Sequence, residues 1–240
     1  MTLVLLHGFT GSPASWNPVV ASLAETAVCP PLLGHGAPET GRVQSFDGEV
    51  ARLLSALPEE PVHLAGYSLG ARLALALALA YPERIRQLTL VSGQPGLASE
   101  AEREERQRAD AGWCTLLETR GLEAFVDAWE AQPLFATQRR VPAELRARRR
   151  RERLGHDPLG LARSLRVTGL AEMADLRPRL ASVRTPVTVL AGELDPKFLA
   201  LGRAMSVSFL RGRLVVAPNA GHDLLLEAPD LVARELSNPR

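Results

Sequence analysis

Gly66-Tyr67-Ser68-Leu69-Gly70 fits the pattern G-x-S-x-G, in which a strand turns sharply into a helix and presents a serine at the tip of the turn. Five residues with two glycines say little alone, and the flanks give them meaning. Pro61-Val62-His63-Leu64-Ala65 upstream reads as a short buried strand. The ten residues from Ala71 to Ala80 alternate Ala and Leu around Arg72, all strong helix formers. The competing reading is an ordinary strand-to-helix turn whose serine caps the helix.

Strand and helix signals alternate outward from this stretch. Leu3 to Leu6 predicts a buried strand, and a helix then starts near Pro13 with Trp16, Val19, Val20 and Leu23 on its apolar face. A short strand ends near Cys29, and a helix follows from about Phe46 to Leu57. Leu88 to Val91, Pro186 to Leu190 and Leu214 to Val216 predict further strands, and Leu224 to Leu236 a C-terminal helix. Such alternation implies an α/β fold, a mostly parallel sheet of about six strands with helices on both faces. Between about Gly96 and Val183 no strand is evident, while Leu116, Leu117, Leu122, Phe125, Val126 and Trp129 recur at helical spacing. We therefore expect a core formed by residues 1–95 and 184–240, with residues 96–183 inserted as a helical cap above the C-terminal ends of the strands.

At 240 residues the chain is long enough for one domain with an insertion. A net charge of +1 gives no global field for nucleic acid or membrane. The run Arg148-Arg149-Arg150-Arg151 lacks interleaved aromatics, so nucleic acid binding is not expected. No apolar run reaches membrane-spanning length, and Thr2-Leu3-Val4-Leu5-Leu6 lacks the basic start of a secretion signal. A cytoplasmic protein without membrane insertion is expected. Cys29 and Cys114, the two cysteines, lack metal-ligand spacing and are expected to be reduced.

Serine needs a histidine to take its proton and a carboxylate to orient that histidine. In this type of fold they follow in the order serine, acid, histidine. Asp195 lies beyond the strand ending at Leu190, and His222 beyond the strand near Val216. Active sites of open α/β sheets collect at such strand ends. Glu193 competes with Asp195 but lies less far into its loop. Of the other histidines, His63 is expected in the core and His156 in solvent. His35 is expected to make a structural hydrogen bond, and His7 to shape the loop after the first strand. The backbone N–H groups of Phe9 and Leu69 are the expected donors to a developing oxyanion.

Together these residues resemble the α/β-hydrolase superfamily over essentially the whole chain. A narrower likeness lies outside them, in His7-Gly8-Phe9-Thr10-Gly11-Ser12, Gly66 to Arg72, and Pro95-Gly96-Leu97 with Glu102, Arg103 and Arg106. It continues in Trp129 to Phe135 and in Gly192-Glu193 with Asp195, Lys197 and Phe198. In these the chain resembles the MenH family, the 2-succinyl-6-hydroxy-2,4-cyclohexadiene-1-carboxylate synthases of menaquinone biosynthesis.

That resemblance implies a lyase needing no metal or organic cofactor. Its substrate carries several carboxylates, and Ser68 removes a proton instead of attacking a carbonyl. It implies Arg72, Arg106 and Arg153 as carboxylate partners, since the planar guanidinium makes paired hydrogen bonds. The position of the third is open by a residue or two. Tyr67 and Trp129 are implied to line the site, and Lys197 is read as structural. For each arginine the alternative is an ordinary ion pair or a solvated face. The family commonly has a second glycine where Ala71 stands, and the chain starts at the oxyanion-loop strand, so two antiparallel strands are expected to be missing. A carboxylesterase or C–C bond hydrolase with the same three residues remains an alternative, and a non-catalytic binding protein a remoter one. Either a monomer or a homodimer is compatible with the sequence.

Overall fold

The computed structural model describes residues 1–24, 26–36 and 43–237. Six strands form one sheet: β1 (Leu3–Leu6), β2 (Ala27–Val28), β3 (Val62–Tyr67), β4 (Ile85–Val91), β5 (Val187–Gly192) and β6 (Gly212–Ala217). Their order is β2-β1-β3-β4-β5-β6, and all five pairings are parallel. Among the described residues there are thus six strands and no antiparallel pair.

The strands read as continuous apolar runs because both faces of the sheet are covered. Successive side chains point to opposite faces, so Val4 and Leu6 enter one core while Leu3 and Leu5 enter the other. The short α1 (Asn17–Val20) covers the second of these cores. Over the first lie α2 (Phe46–Ala56), through Phe46, Val50 and Leu53, and α3 (Leu69–Ala80). The expected helix at Pro13 opens as a 3-10 turn, Pro13–Trp16, before α1.

Between β4 and β5 the chain is helical throughout its regular elements. α4 (Glu100–Glu130) begins with a reciprocal Ser99–Glu102 cap and breaks at Gly121, whose φ of 77° interrupts the helix. After it come α5 (Ala143–Arg153) and α6 (Pro158–Thr168). Cys114, Leu117, Phe125, Val126, Leu161, Ala162 and Leu165 form a separate small core between α4 and α6. α7 (Pro196–Ser208) returns to the first face of the sheet. α8 (Leu224–Glu227) and α9 (Pro229–Ser237) lie on the second, divided before Pro229 where one helix was expected.

The turn after β3 is possible only because the backbones touch. A Cβ on Gly66 would lie 2.2 Å from the carbonyl oxygen of Gly70, and one on Gly70 would lie 2.2 Å from that of Leu6. The methyl of Ala71 is accommodated across from Gly93, where a Cβ would meet it at 2.7 Å. We expect Gly70→Ala to lower the unfolding free energy in urea by at least about 1–3 kcal/mol, the usual scale of overpacking. Gly112, with nothing within 4 Å of its missing Cβ, is the control. Gly112→Ala should stabilise α4 by about 0.4–1 kcal/mol, and equal effects at the two positions would contradict this account of the turn.

His63 is buried in β3, with Nε2 2.9 Å from the Thr89 hydroxyl, and burial pushes its pKa down to about 4. A folded value below the ordinary 6.5 means that the unfolded chain takes up the proton first. Stability should therefore fall as pH drops from about 6.5 towards 4, and His63→Gln should flatten that slope in urea titrations. An unchanged slope would show that His63 does not contribute to it.

Candidate active site

Ser68 caps α3 with φ 51° and ψ −105°, and its side chain makes no capping bond. A serine with positive φ is uncommon. Here it is imposed by the close approach of β1, β3 and α3, and by the Ser68 N–H bonding the Val91 carbonyl at 2.9 Å. Its hydroxyl is thereby left free of the helix. Ser68 Oγ lies 3.2 Å from His222 Nε2, and His222 Nδ1 lies 2.9 Å from Asp195 Oδ2. A carboxylate oxygen beside Nδ1 accepts a hydrogen bond from its N–H, leaving Nε2 to accept from Ser68. Asp195 also caps α7 by accepting from the Phe198 N–H at 3.2 Å, and both Asp195 and His222 are buried. Glu193, the competing acid, is exposed and instead accepts from the Asn219 N–H.

The loop carrying His222 is clamped from several sides. Its carbonyl accepts from the Ser92 hydroxyl at 2.8 Å, and the Glu227 carboxylate accepts the N–H groups of Gly221 and Asp223. Gly192 passes so close that a Cβ there would lie 2.0 Å from the Gly221 oxygen. None of these clamps has a recognisable sequence pattern.

Above the serine is a cavity of about 410 Å³ whose lining includes Ser68, His222, Phe9, Leu69, Tyr67 and Trp129. The Leu69 N–H is the first of α3 and so has no partner within the helix. Phe9, Phe125, Trp129 and Trp113 pack ring against ring, fixing the apolar roof. Burial raises the Tyr67 hydroxyl well above its usual range, with Asp223 adding to the effect.

All three expected arginines reach this cavity, with different partners. Arg72 is buried and donates to the Thr168 carbonyl at 3.0 Å, with no carboxylate in ion-pair range among the described residues. Burial, and then Arg106, pull its pKa down to about 9. Arg106 donates from Nε to both oxygens of Asp110 at 2.9 Å. Arg153 bonds Glu130 at 2.7 Å, and its guanidinium lies 5.3 Å from the Phe135 ring centre. The ion-pair alternative thus describes Arg106 and Arg153 as well, although both face the cavity.

Sequence reasoning missed Arg149. One turn before Arg153 on α5, it is buried in the cavity wall and bridges Glu152 at 2.7 Å and Asp223 at 3.3 Å. Within Arg148 to Arg151 only the helix phase, fixed by packing, separates it from its neighbours. One expectation needs correction. His156 is not solvated: it is half-buried, with Nε2 3.2 Å from the Thr10 carbonyl and its ring against His35. Packing of the α5–α6 turn onto the loop after β1 puts it there. Lys197, read as structural, stands at the start of α7 beside the cavity, with its ammonium 5.6 Å from the Phe198 ring centre.

Among the described residues there is no cluster of three or more histidine, cysteine or acidic side chains able to hold a metal, and no helix is long and apolar enough to cross a membrane.

An unpaired buried cation opposes folding, because burial disfavours charge. Arg72→Met should therefore raise the unfolding free energy of the ligand-free protein by about 0.5–2 kcal/mol, the scale of relieved functional strain. A loss of stability in urea titrations would mean that its bond to Thr168 outweighs its desolvation.

Comparison with known proteins agrees over nearly the full length. The profile of the alpha/beta hydrolase family matches residues 3–235. The chain is 37% identical over 242 residues to a putative 2-succinyl-6-hydroxy-2,4-cyclohexadiene-1-carboxylate synthase of Bacillus subtilis (strain 168), covering 98% of this chain and 88% of that protein. It is 33% identical over 243 residues to the 2-succinyl-6-hydroxy-2,4-cyclohexadiene-1-carboxylate synthase of Escherichia coli O1:K1 / APEC, covering 98% and 92%. In three dimensions it is similar to MenH from S. aureus, with a TM-score of 0.92, 30% identity and coverage of 99% and 95%.

Proposed function

This chain belongs to the alpha/beta hydrolase family and, within it, to the 2-succinyl-6-hydroxy-2,4-cyclohexadiene-1-carboxylate synthases, and on that footing we propose that it is a lyase that eliminates pyruvate from 2-succinyl-5-enolpyruvyl-6-hydroxy-3-cyclohexene-1-carboxylate. The observation that carries this reading is the placement of Arg72. A buried cation with no carboxylate partner among the described residues opens into the same cavity as the Ser68–His222–Asp195 hydrogen-bond chain. A neutral ester gives such a cation nothing to bind, whereas a substrate with several carboxylates does.

In this reading Ser68 Oγ takes the ring proton next to the succinyl ketone while His222 Nε2 takes the serine proton. Asp195 stabilises the resulting imidazolium. Negative charge moves to the ketone oxygen, where the N–H groups of Phe9 and Leu69 receive it. When the charge returns to the ring, the bond to the enolpyruvyl oxygen breaks. The departing enolpyruvate takes a proton at carbon and leaves as pyruvate, and the ring becomes a conjugated diene. No water is consumed. Arg72, Arg106 and Arg153 hold the substrate carboxylates, with Tyr67 and Trp129 against the ring. Arg106 and Arg153 are already oriented by Asp110 and Glu130.

Residues 96–183 act as the cap that excludes water from this chemistry, above a core of residues 1–95 and 184–240. Every residue used in this chemistry comes from this chain, which is compatible with a monomer or a homodimer. A cytoplasmic setting suits a freely diffusing, multiply charged substrate.

Purified protein should release pyruvate and form diene absorbance from this substrate. Ser68→Ala should lower kcat by about 10²–10⁴-fold, the scale of a lost general base, and Arg72→Ala should mainly raise KM. Absence of pyruvate release, with efficient turnover of short p-nitrophenyl esters, would replace the lyase by a hydrolase using Ser68 as nucleophile.

A further inference from the structure

The loop after β1 is held by histidines that the proposed chemistry does not use. His7 is fully buried; its Nε2 receives the Leu32 N–H at 3.2 Å and its Nδ1 lies 2.8 Å from the Gly8 carbonyl. An amide can only donate, so Nε2 is the acceptor and the ring proton sits on Nδ1, donating to Gly8. The Gly8 carbonyl and the Phe9 N–H belong to one trans peptide and point in opposite directions. Gly8 also accepts the Gly11 N–H at 3.1 Å. Two donors on that oxygen therefore aim the Phe9 N–H the other way.

The next residue is constrained in the same manner. Thr10 has φ 63°, a left-handed conformation that is a genuine outlier for a β-branched side chain. Its N–H donates to His35 Nε2 at 3.0 Å, and His35 Nδ1 lies 2.9 Å from the Leu33 carbonyl, which can only accept. His35 is therefore also neutral with its proton on Nδ1. Its ring packs edge-on against both His7 and Phe9.

We propose that His7 and His35 are positioning residues for the oxyanion site: His7 aims the Gly8–Phe9 peptide, and His35 holds Thr10 in its left-handed conformation behind it. The inference rests on the proposed function in taking the Phe9 N–H as an oxyanion donor. It adds that the donor's direction is set by two imidazoles in one fixed tautomer. Burial keeps both rings neutral: desolvation pulls the His7 pKa down to about 4 and that of His35 well below its usual value.

Amide side chains separate positioning from mere filling of space. The Asn side-chain nitrogen overlies imidazole Nδ1, and the end of the Gln side chain overlies Nε2. At His7 the bond that matters is donated from Nδ1, so His7→Asn should retain most of kcat. His7→Gln and His7→Ala should lose at least about 10-fold, approaching the 10²–10³ of a missing oxyanion donor. At His35 the bond that matters is accepted at Nε2, so the order reverses: His35→Gln retains kcat and His35→Asn loses it. KM should change little throughout, since the donor acts on charge that develops in the transition state. The test is pyruvate release by the full chain, together with the Phe9 amide resonance of protein labelled with ¹⁵N-phenylalanine, of which there are six. That resonance should stay near its wild-type position in His7→Asn and His35→Gln and shift in the other two amide variants. Equal losses for Asn and Gln at both positions, or losses confined to KM, would overturn the inference. If wild-type protein released no pyruvate, the substrate reading would fail instead. The Phe9 resonance would still decide this inference, and the same position in all four amide variants would overturn it.

Discussion

The molecule is organised around the close passage of β1 beneath the turn from β3 into α3. That contact excludes a side chain at Gly70, the tight turn itself excludes one at Gly66, and between them Ser68 takes a positive φ. The consequence is chemical: a serine in this conformation cannot use its hydroxyl to cap α3, so the hydroxyl is available to His222. A second close approach lies after β4, where the methyl of Ala71 is matched by the absence of a side chain at Gly93. Strain of this kind persists only where surrounding structure over-determines it. Here the fully buried strands β1 and β3 supply that constraint.

The helical region between β4 and β5 contributes charge where the sheet contributes geometry. α5 brings two buried arginines to the cavity, each with a carboxylate partner: Arg149 with Glu152 and Asp223, and Arg153 with Glu130. Glu152 in turn accepts from the Ser12 N–H and from the hydroxyls of Ser12 and Ser15. Although burial pushes the other way, Arg149 and these hydroxyls hold its carboxyl below the usual range. One side chain therefore ties α5 to the loop after β1, and His156 adds a second tie at Thr10. Arg72 differs from the others in having only carbonyl and sulfur partners for its guanidinium. On the proposed reading the substrate supplies the missing countercharge.

Much of this was legible in the sequence because it is local. Alternating apolar runs gave the six strands in order, and the G-x-S-x-G spacing located the sharp turn. The positions of Asp195 and His222 after their strands marked residues that the fold brings to Ser68. What the sequence hid depends on phase or on distance along the chain. Arg149 lies in a run of four arginines, and only the rotation of α5 against the loop after β1 distinguishes it from Arg148 or Arg151. His156 read as solvated because nothing nearby announces that its turn packs onto Thr10. Ser92 and Glu227, which clamp the His222 loop, carry no motif, since a hydrogen bond from Ser92 to a carbonyl 130 residues later leaves no local trace.

On the proposed reading Ser68 works as a base, removing a ring proton, with no acyl-enzyme and no water in the balance. The most direct measurement is single-turnover pyruvate release from substrate carrying deuterium at the ring carbon beside the succinyl ketone, compared with the protiated form. Release should be slower from the deuterated substrate, with a further loss of rate in Ser68→Ala for either one. Equal rates for the two isotopes, with Ser68 trapped as a covalent ester, would contradict it.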